Sequence, residues 1–150
     1  MHIRPASPAD ARPLTELLNE IIALGGTTAL KPLTKADMIT WIVSNPAQYA
    51  FLMAEDDTGQ ALGFQAVGPR DTLPSEACDI ATFTRSGKAQ LGIGSALFSA
   101  TEKTAKALGY LWINATILSH NTGGLAYYQS RGFEPYKQTP ERVFMRFLLR

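Results

Sequence analysis

Lys88-Ala89-Gln90-Leu91-Gly92-Ile93-Gly94-Ser95-Ala96-Leu97 is a glycine turn that opens a helix. One strand later, Asn121, Tyr127-Tyr128 and Gly132-Phe133 mark a second, shorter helix. The first helix is predicted from about Gly94 to Leu108. Ile93, Leu97, Ala100 and Leu108 fall roughly on one face, and Gly109 stops it. The first N–H groups of a helix lack internal partners and carry the positive end of its dipole. Glycines there admit positive φ and close approach. Leu91, Gly92, Ile93, Gly94 and Ser95 therefore read as an anion cradle, with Lys88 adding a charge and Gln90 a donor.

Outward from this stretch, the elements follow in order. His2 to Arg4 reads as a strand, and Ser7-Pro8-Ala9-Asp10 as a helix start. Leu14, Leu17, Leu18, Ile21 and Ile22 give an amphipathic helix that ends at Gly25-Gly26, with Pro13 in its first turn. Thr34 and Asp37 resemble a capping box for a helix with Met38, Trp41 and Ile42 on its apolar face, stopped by Asn45-Pro46. Tyr49 to Ala54 and Ala61 to Val67 form a hairpin around Asp56-Asp57-Thr58-Gly59. Cys78 to Thr84, Trp112 to Leu118 and Val143 to Leu149 are strands, and Thr122 to Arg131 is a helix capped by Gly132. The order β-α-α-β-β-β-α-β-α-β predicts an α+β fold, a mixed sheet covered by helices.

The length of 150 residues is that of one domain, residues 1–150. A chain of this size buries roughly 70% of its extended surface. With 45% hydrophobic and 18% charged residues the balance is that of a globular protein. A net charge of +1 gives no broad attraction to nucleic acid or acidic membranes. No apolar run approaches the roughly 18 residues of a membrane span. One cysteine, Cys78, forms no internal disulfide, and with His2 and His120 it is too little for a zinc site, so no metal is expected. Met1-His2-Ile3-Arg4-Pro5 lacks the build of a signal peptide, and the expectation is a cytoplasmic protein.

Two nucleotide-binding motifs fail. A dinucleotide fingerprint needs Gly or Ala at position 97, where Leu97 stands. A Walker loop built on Gly87-Lys88 needs Gly at position 82 and Ser or Thr at position 89, where Thr82 and Ala89 stand. The chain instead resembles the GCN5-related N-acetyltransferase superfamily. Its loop motif, Q/R-x-x-G-x-G/A, is met by Gly92 and Gly94, with Ala89 at the Q/R position and Gln90 displaced by one. Its second half, N-x-x-A-x-x-aromatic-Y-x-x-x-G-F, is met by Asn121, Gly124 in place of Ala, Tyr127, Tyr128, Gly132 and Phe133. Thr28-Ala29, Pro32, Thr34, Trp41 and Gly68-Pro69 resemble the phosphinothricin-type branch.

The resemblance implies a mostly antiparallel sheet of six to seven strands flanked by about four helices. It implies acetyl-CoA as cosubstrate and, as function, transfer of an acetyl group to the primary amine of a small molecule such as an amino acid. The alternative is a non-catalytic module that binds CoA or another metabolite, favoured by Ala89. Such chemistry needs a neutral amine, an oxyanion donor and a proton for the departing thiolate. By resemblance, the strand at Thr82, Phe83 and Thr84 pairs with the pantetheine arm, Asn121 orients the cofactor or a water, and Tyr128 is the general acid. Tyr127 reads as core. For the base, Asp79 stands where the phosphinothricin branch has a glutamate, and Glu76 lies just before that strand. Alternation puts Asp79, Ala81 and Phe83 on one strand face and Cys78, Ile80 and Thr82 on the other, which leaves the choice open. Thr27, Thr28 and Trp41 are the candidates for the acceptor pocket. Relatives of this kind commonly form homodimers, of which the residues themselves give no direct sign. Cys78 reads as a buried structural thiol and His120 as a solvated loop residue.

Overall fold

In a computed structural model, which describes residues 1–85 and 92–150, seven strands form one sheet in the order β1-β2-β3-β4-β5-β7-β6. The strands are β1 (His2–Pro5), β2 (Ala50–Glu55), β3 (Ala61–Gly68), β4 (Ala77–Thr84), β5 (Trp112–Leu118), β6 (Glu134–Gln138) and β7 (Arg142–Leu148). The helices are α1 (Ala11–Leu24), α2 (Lys35–Ile42), α3 (Ile93–Ala107) and α4 (Thr122–Ser130). Among the described residues only β4 and β5 pair in parallel; every other neighbouring pair is antiparallel. A parallel pair needs a long crossover, and α3 supplies it. No helix among the described residues is long and apolar enough to cross a membrane.

The local signals act as their chemistry requires. Thr34 Oγ1 accepts from Asp37 N at 3.1 Å and Asp37 Oδ2 accepts from Thr34 N at 3.0 Å, a closed capping box on α2. Gly25, Gly59, Gly109 and Gly132 all take positive φ where helices or hairpins turn. Strand β6 is the element that the apolar pattern does not announce. Every residue of Glu134-Pro135-Tyr136-Lys137-Gln138 is exposed, because β6 is the sheet edge and buries neither face.

The sheet is covered on both sides. Leu14, Leu17 and Leu18 of α1 and Met38 of α2 bury against Phe51, Met53 and Phe64 on one face. On the other, Ile93 and Leu97 of α3 pack on Leu52 and Leu62, and Phe98, Tyr128 and Phe133 pack on Cys78, Ile80 and Ile113. Arg4 ties the first strand down, with Nη2 2.8 Å from Asp10 Oδ1 and Nε 3.1 Å from Glu55 Oε1.

Candidate active site

Strands β4 and β5 pair only at Ala77–Trp112, Cys78–Ile113 and Asp79–Asn114. Beyond Asp79 they part, although β4 runs on to Thr84 and β5 to Leu118. β4 stays paired to β3 along its other edge, from Asp79–Gly68 to Thr84–Gly63. The wedge between the parted strands opens into a cavity of about 530 Å³. Residues 80–84 of β4 line one wall, Thr116 and Ile117 of β5 the other, with Tyr127 and Tyr128 of α4 and its N-cap Asn121 beside them. A smaller cavity of about 220 Å³ adjoins it, sharing Thr27, Thr28, Leu30 and Thr116 and adding Arg70 and Arg142.

Several expected site residues meet here. Thr82, Phe83, Thr84, Gly94, Asn121, Tyr128, Thr27 and Thr28 all line the larger cavity. Tyr128 is buried, its Oη 2.7 Å from Thr82 Oγ1. Burial pushes its hydroxyl pKa well above the ordinary phenol value, so it holds its proton throughout the neutral range. Asn121 Oδ1 accepts from Gly124 N at 3.0 Å, capping α4, while its Nδ2 donates to Thr27 O at 3.3 Å. That amide also explains Gly124. A Cβ there would stand 2.6 Å from Asn121 Nδ2.

The two loop glycines differ in purpose. Gly92 takes φ +73° with nothing within 4 Å of an added Cβ, so it serves the turn. Gly94 has no such φ. An added Cβ would stand 2.6 Å from Tyr127 Cε1, so Gly94 makes room for that ring. Tyr127, expected in the core, packs its ring there, lines the cavity and donates from its hydroxyl to Gly94 O at 2.7 Å. Ile93 is wholly buried and offers only its backbone to a ligand, and Ser95 Oγ accepts from Arg131 Nη1 at 2.6 Å. Lys88, Gln90 and Leu91 lie outside the described residues.

Asp79 sits at the apex, in the last residue pair before the strands part. Its Oδ1 accepts from Asn114 Nδ2 at 2.8 Å and its Oδ2 from Arg70 Nη1 at 3.1 Å. Burial raises its pKa despite both partners. Asp79 lines neither cavity itself, but Arg70 and Thr116, the latter bonded to the same Asn114 at 3.0 Å, line the smaller one. Phe83 packs on the α1/α2 face, while Cys78 and Ile80 pack on the α3/α4 face. Alternation therefore puts Asp79 and Tyr128 on opposite sides of the sheet, with the wedge between them.

Trp41 and Glu76 stand away from the wedge altogether. Trp41 is turned inward by the apolar stripe of α2 and meets Phe51 and Phe64 edge-on, with ring centroids 5.2 and 5.5 Å away. Glu76 is exposed at the far end of β4, where its carbonyl accepts from Leu111 N. Sequence reasoning in turn missed Arg70, Arg142, Arg131 and Gln65. Gly68-Pro69 lies beside Arg70, and Arg131 falls at an unspecified position of the Tyr128–Phe133 motif.

The acetyltransferase (GNAT) family model matches residues 15–133. A methionine sulfoximine and methionine sulfone acetyltransferase of Pseudomonas aeruginosa is 29% identical over 147 residues, covering 93% of this chain and 83% of the relative. The Pseudomonas paraeruginosa counterpart aligns with the same figures. Among solved structures, yncA from Salmonella typhimurium, determined with its cofactor acetyl-CoA, superposes with a TM-score of 0.91 at 21% identity, over 100% of this chain and 94% of that one. A phosphinothricin acetyltransferase from Sinorhizobium meliloti in complex with acetyl-CoA gives a TM-score of 0.87 at 22% identity, over 99% and 88%. These structures share the fold, and the family match covers the whole wedge: the chain belongs to the acetyltransferase (GNAT) family.

Proposed function

We propose that the protein transfers an acetyl group from acetyl-CoA directly to the primary amine of a small amino acid or amino-acid analogue that carries an anionic group. The observation that carries this reading is the wedge itself, with one edge of β4 lining a cavity whose wall includes Tyr128 bonded to Thr82.

The residues suit acetyl-CoA. Beyond Asp79, β4 is parted from β5, so its edge at residues 80–84 faces the wedge and can pair with an extended amide arm. The N-terminus of α3, behind Gly92, suits phosphates, and Arg131 at Ser95 brings a cation near that end. Acetyl-CoA, when bound, supplies an acyl group activated as a thioester.

The chain's own groups then divide the proton work. Tyr128 Oη, kept protonated by burial, donates to the leaving sulfur. Asp79, with a raised pKa, takes the amine's proton through water. Arg70 and Arg142, at the smaller cavity, hold a carboxylate or similar group. The relatives that acetylate methionine sulfoximine and methionine sulfone support an amino-acid-like acceptor.

Calorimetric titration with acetyl-CoA, with NAD and ATP as controls, followed by thiol release across amino acids and their amides, tests the reading. Selective micromolar binding and turnover that needs the acceptor's anionic group are expected. Tyr128→Phe should lower kcat by about 10²-fold or more, with acetyl-CoA affinity nearly unchanged. Binding with no thiol release across the panel supports the second reading, a metabolite-binding module, which Ala89 favours.

A further inference from the structure

Gln65 has no role in the reading so far, yet it is only 1% exposed and carries an amide into the back of the site. It stands opposite Thr82 in the β3–β4 register. Its Nε2 donates to Thr82 Oγ1 at 2.9 Å and to Tyr127 Oη at 3.0 Å. The direction of the second bond is forced. Tyr127 has one hydroxyl proton and gives it to the Gly94 carbonyl at 2.7 Å, a group that only accepts. The Tyr127 oxygen must therefore accept from Gln65, which puts the amide nitrogen on this side and uses both of its protons. Its Oε1 is left buried without a partner among the described residues. A side chain held at that cost is kept for its two donors.

The consequence passes to Tyr128. Thr82 Oγ1 already accepts from Gln65; in its 2.7 Å bond with Tyr128 Oη either hydroxyl can donate, and the Thr82 proton has no other acceptor among the described residues, which favours Thr82 as the donor. We propose that Gln65 is a positioning residue for the transfer: through Thr82 it turns the Tyr128 hydroxyl proton out of the core and toward the cavity. The proposal rests on the reading of Tyr128 as the acid. Tyr128 hands its proton to the leaving sulfur, and the phenolate oxygen keeps the Thr82 hydrogen bond. Asp79 takes the proton lost by the attacking neutral amine and passes it through water to the phenolate, so amine and thioester give amide and thiol with the proton count unchanged.

Gln65→Glu keeps the shape but puts an acceptor where the donors were. Gln65→Met removes the donors at similar length. Thr82→Val removes the link and leaves Gln65 in place. Each is made in the wild-type and Tyr128→Phe backgrounds, and each is measured for kcat, for KM and for acetyl-CoA Kd by calorimetry. In the wild-type background kcat should fall about tenfold or more, with KM and Kd within about threefold. On top of Tyr128→Phe the further fall should be under about twofold, because the group acted upon is gone. Unchanged kcat overturns the proposal. So does an equal fall in both backgrounds, and so does a loss of Kd in step with kcat. If the buried carboxyl of Gln65→Glu prevents folding, Gln65→Met and Thr82→Val decide the matter. Full activity in Tyr128→Phe alone defeats the acid reading itself, and it is seen without any change at Gln65.

Discussion

Gly94→Ala isolates a packing constraint that the motif conceals. The new Cβ would lie 2.6 Å from Tyr127 Cε1 and 3.2 Å from Cζ, so the ring has to retreat by about 1 Å to reach ordinary carbon contact near 3.5–4.0 Å. That ring is held by its hydroxyl bonds to Gly94 O and Gln65 and by contact with Tyr128 at 5.0 Å between centroids. Overpacking costs about 1–3 kcal/mol, and a weakened hydroxyl bond costs about 1 kcal/mol more. Removing a helical glycine returns up to about 1 kcal/mol. The net loss is about 1–3 kcal/mol, which is about 2–12 °C in Tm for a chain of this length. Urea and thermal unfolding measure it. Tyr127→Leu supplies the control, since a leucine ends near the level of Tyr127 Cδ1, which stands at an ordinary 3.4 Å from the added Cβ. In that background Gly94→Ala should be neutral or stabilising, a coupling of about 1–3 kcal/mol. An equal loss in both backgrounds refutes the argument.

Asp79→Asn should lower kcat by about 10²-fold or more and remove the acidic limb of the kcat/KM profile; because the Asp79 pKa is raised, that limb should lie above the ordinary carboxylate range. An unchanged limb would assign the base elsewhere. Arg142→Gln should raise KM for a carboxylate acceptor by about tenfold or more and leave its amide analogue unaffected; equal effects on both would remove Arg142 from acceptor binding. Asp10→Asn tests the Arg4 bridge. The Asp10 pKa is lowered from 3.8 to about 2, first through the Arg4 hydrogen bond, so its stabilisation is complete above the unfolded value and is lost as pH falls through about 2. At neutral pH the substitution should cost on the order of 1–2 kcal/mol in urea unfolding after allowance for solvent, and the cost should vanish near pH 2.

The sequence shows the fold wherever a period or a cap is local. The stripe from Leu14 to Ile22, the Thr34–Asp37 box and the Asp56–Gly59 turn each need only their own neighbours, and each forms as read. Strand β6 was not legible because an edge strand exposed on both faces has no apolar alternation to display. The site divides in the same way. Asn121 and Tyr128 were found by motif and do reach the cavity. Gln65 and Arg70 were invisible because their partners lie on other strands or helices, Tyr127 being 62 residues from Gln65. In the sequence Gly94 reads as close approach for a ligand. Its occupant is a ring 33 residues onward, which no local pattern encodes.

The distribution of groups around the wedge argues for direct transfer rather than an acyl-enzyme. The strongest nucleophile for a covalent route is a thiolate, and the chain has one cysteine. Cys78 is fully buried among Ile80, Phe98 and Ile113, its Sγ is directed at the Trp112 carbonyl, and burial pushes its pKa up to about 12. It has neither the charge nor the access of a nucleophile. It also precedes the point where β4 leaves β5, so the wedge opens one pair beyond it. What the wedge does hold is a protonated phenol on one side of the sheet and a carboxylate of raised pKa at its apex. An acid and a base on opposite sides of a cleft suit one amine attacking one thioester in place, with one proton leaving as another arrives. The α3 crossover makes this arrangement economical. It joins the two parallel strands, and its N-terminal Gly94 carries the carbonyl that anchors Tyr127. On the proposed reading, the same turn of chain shapes the cofactor end and holds the tyrosines at the reacting end.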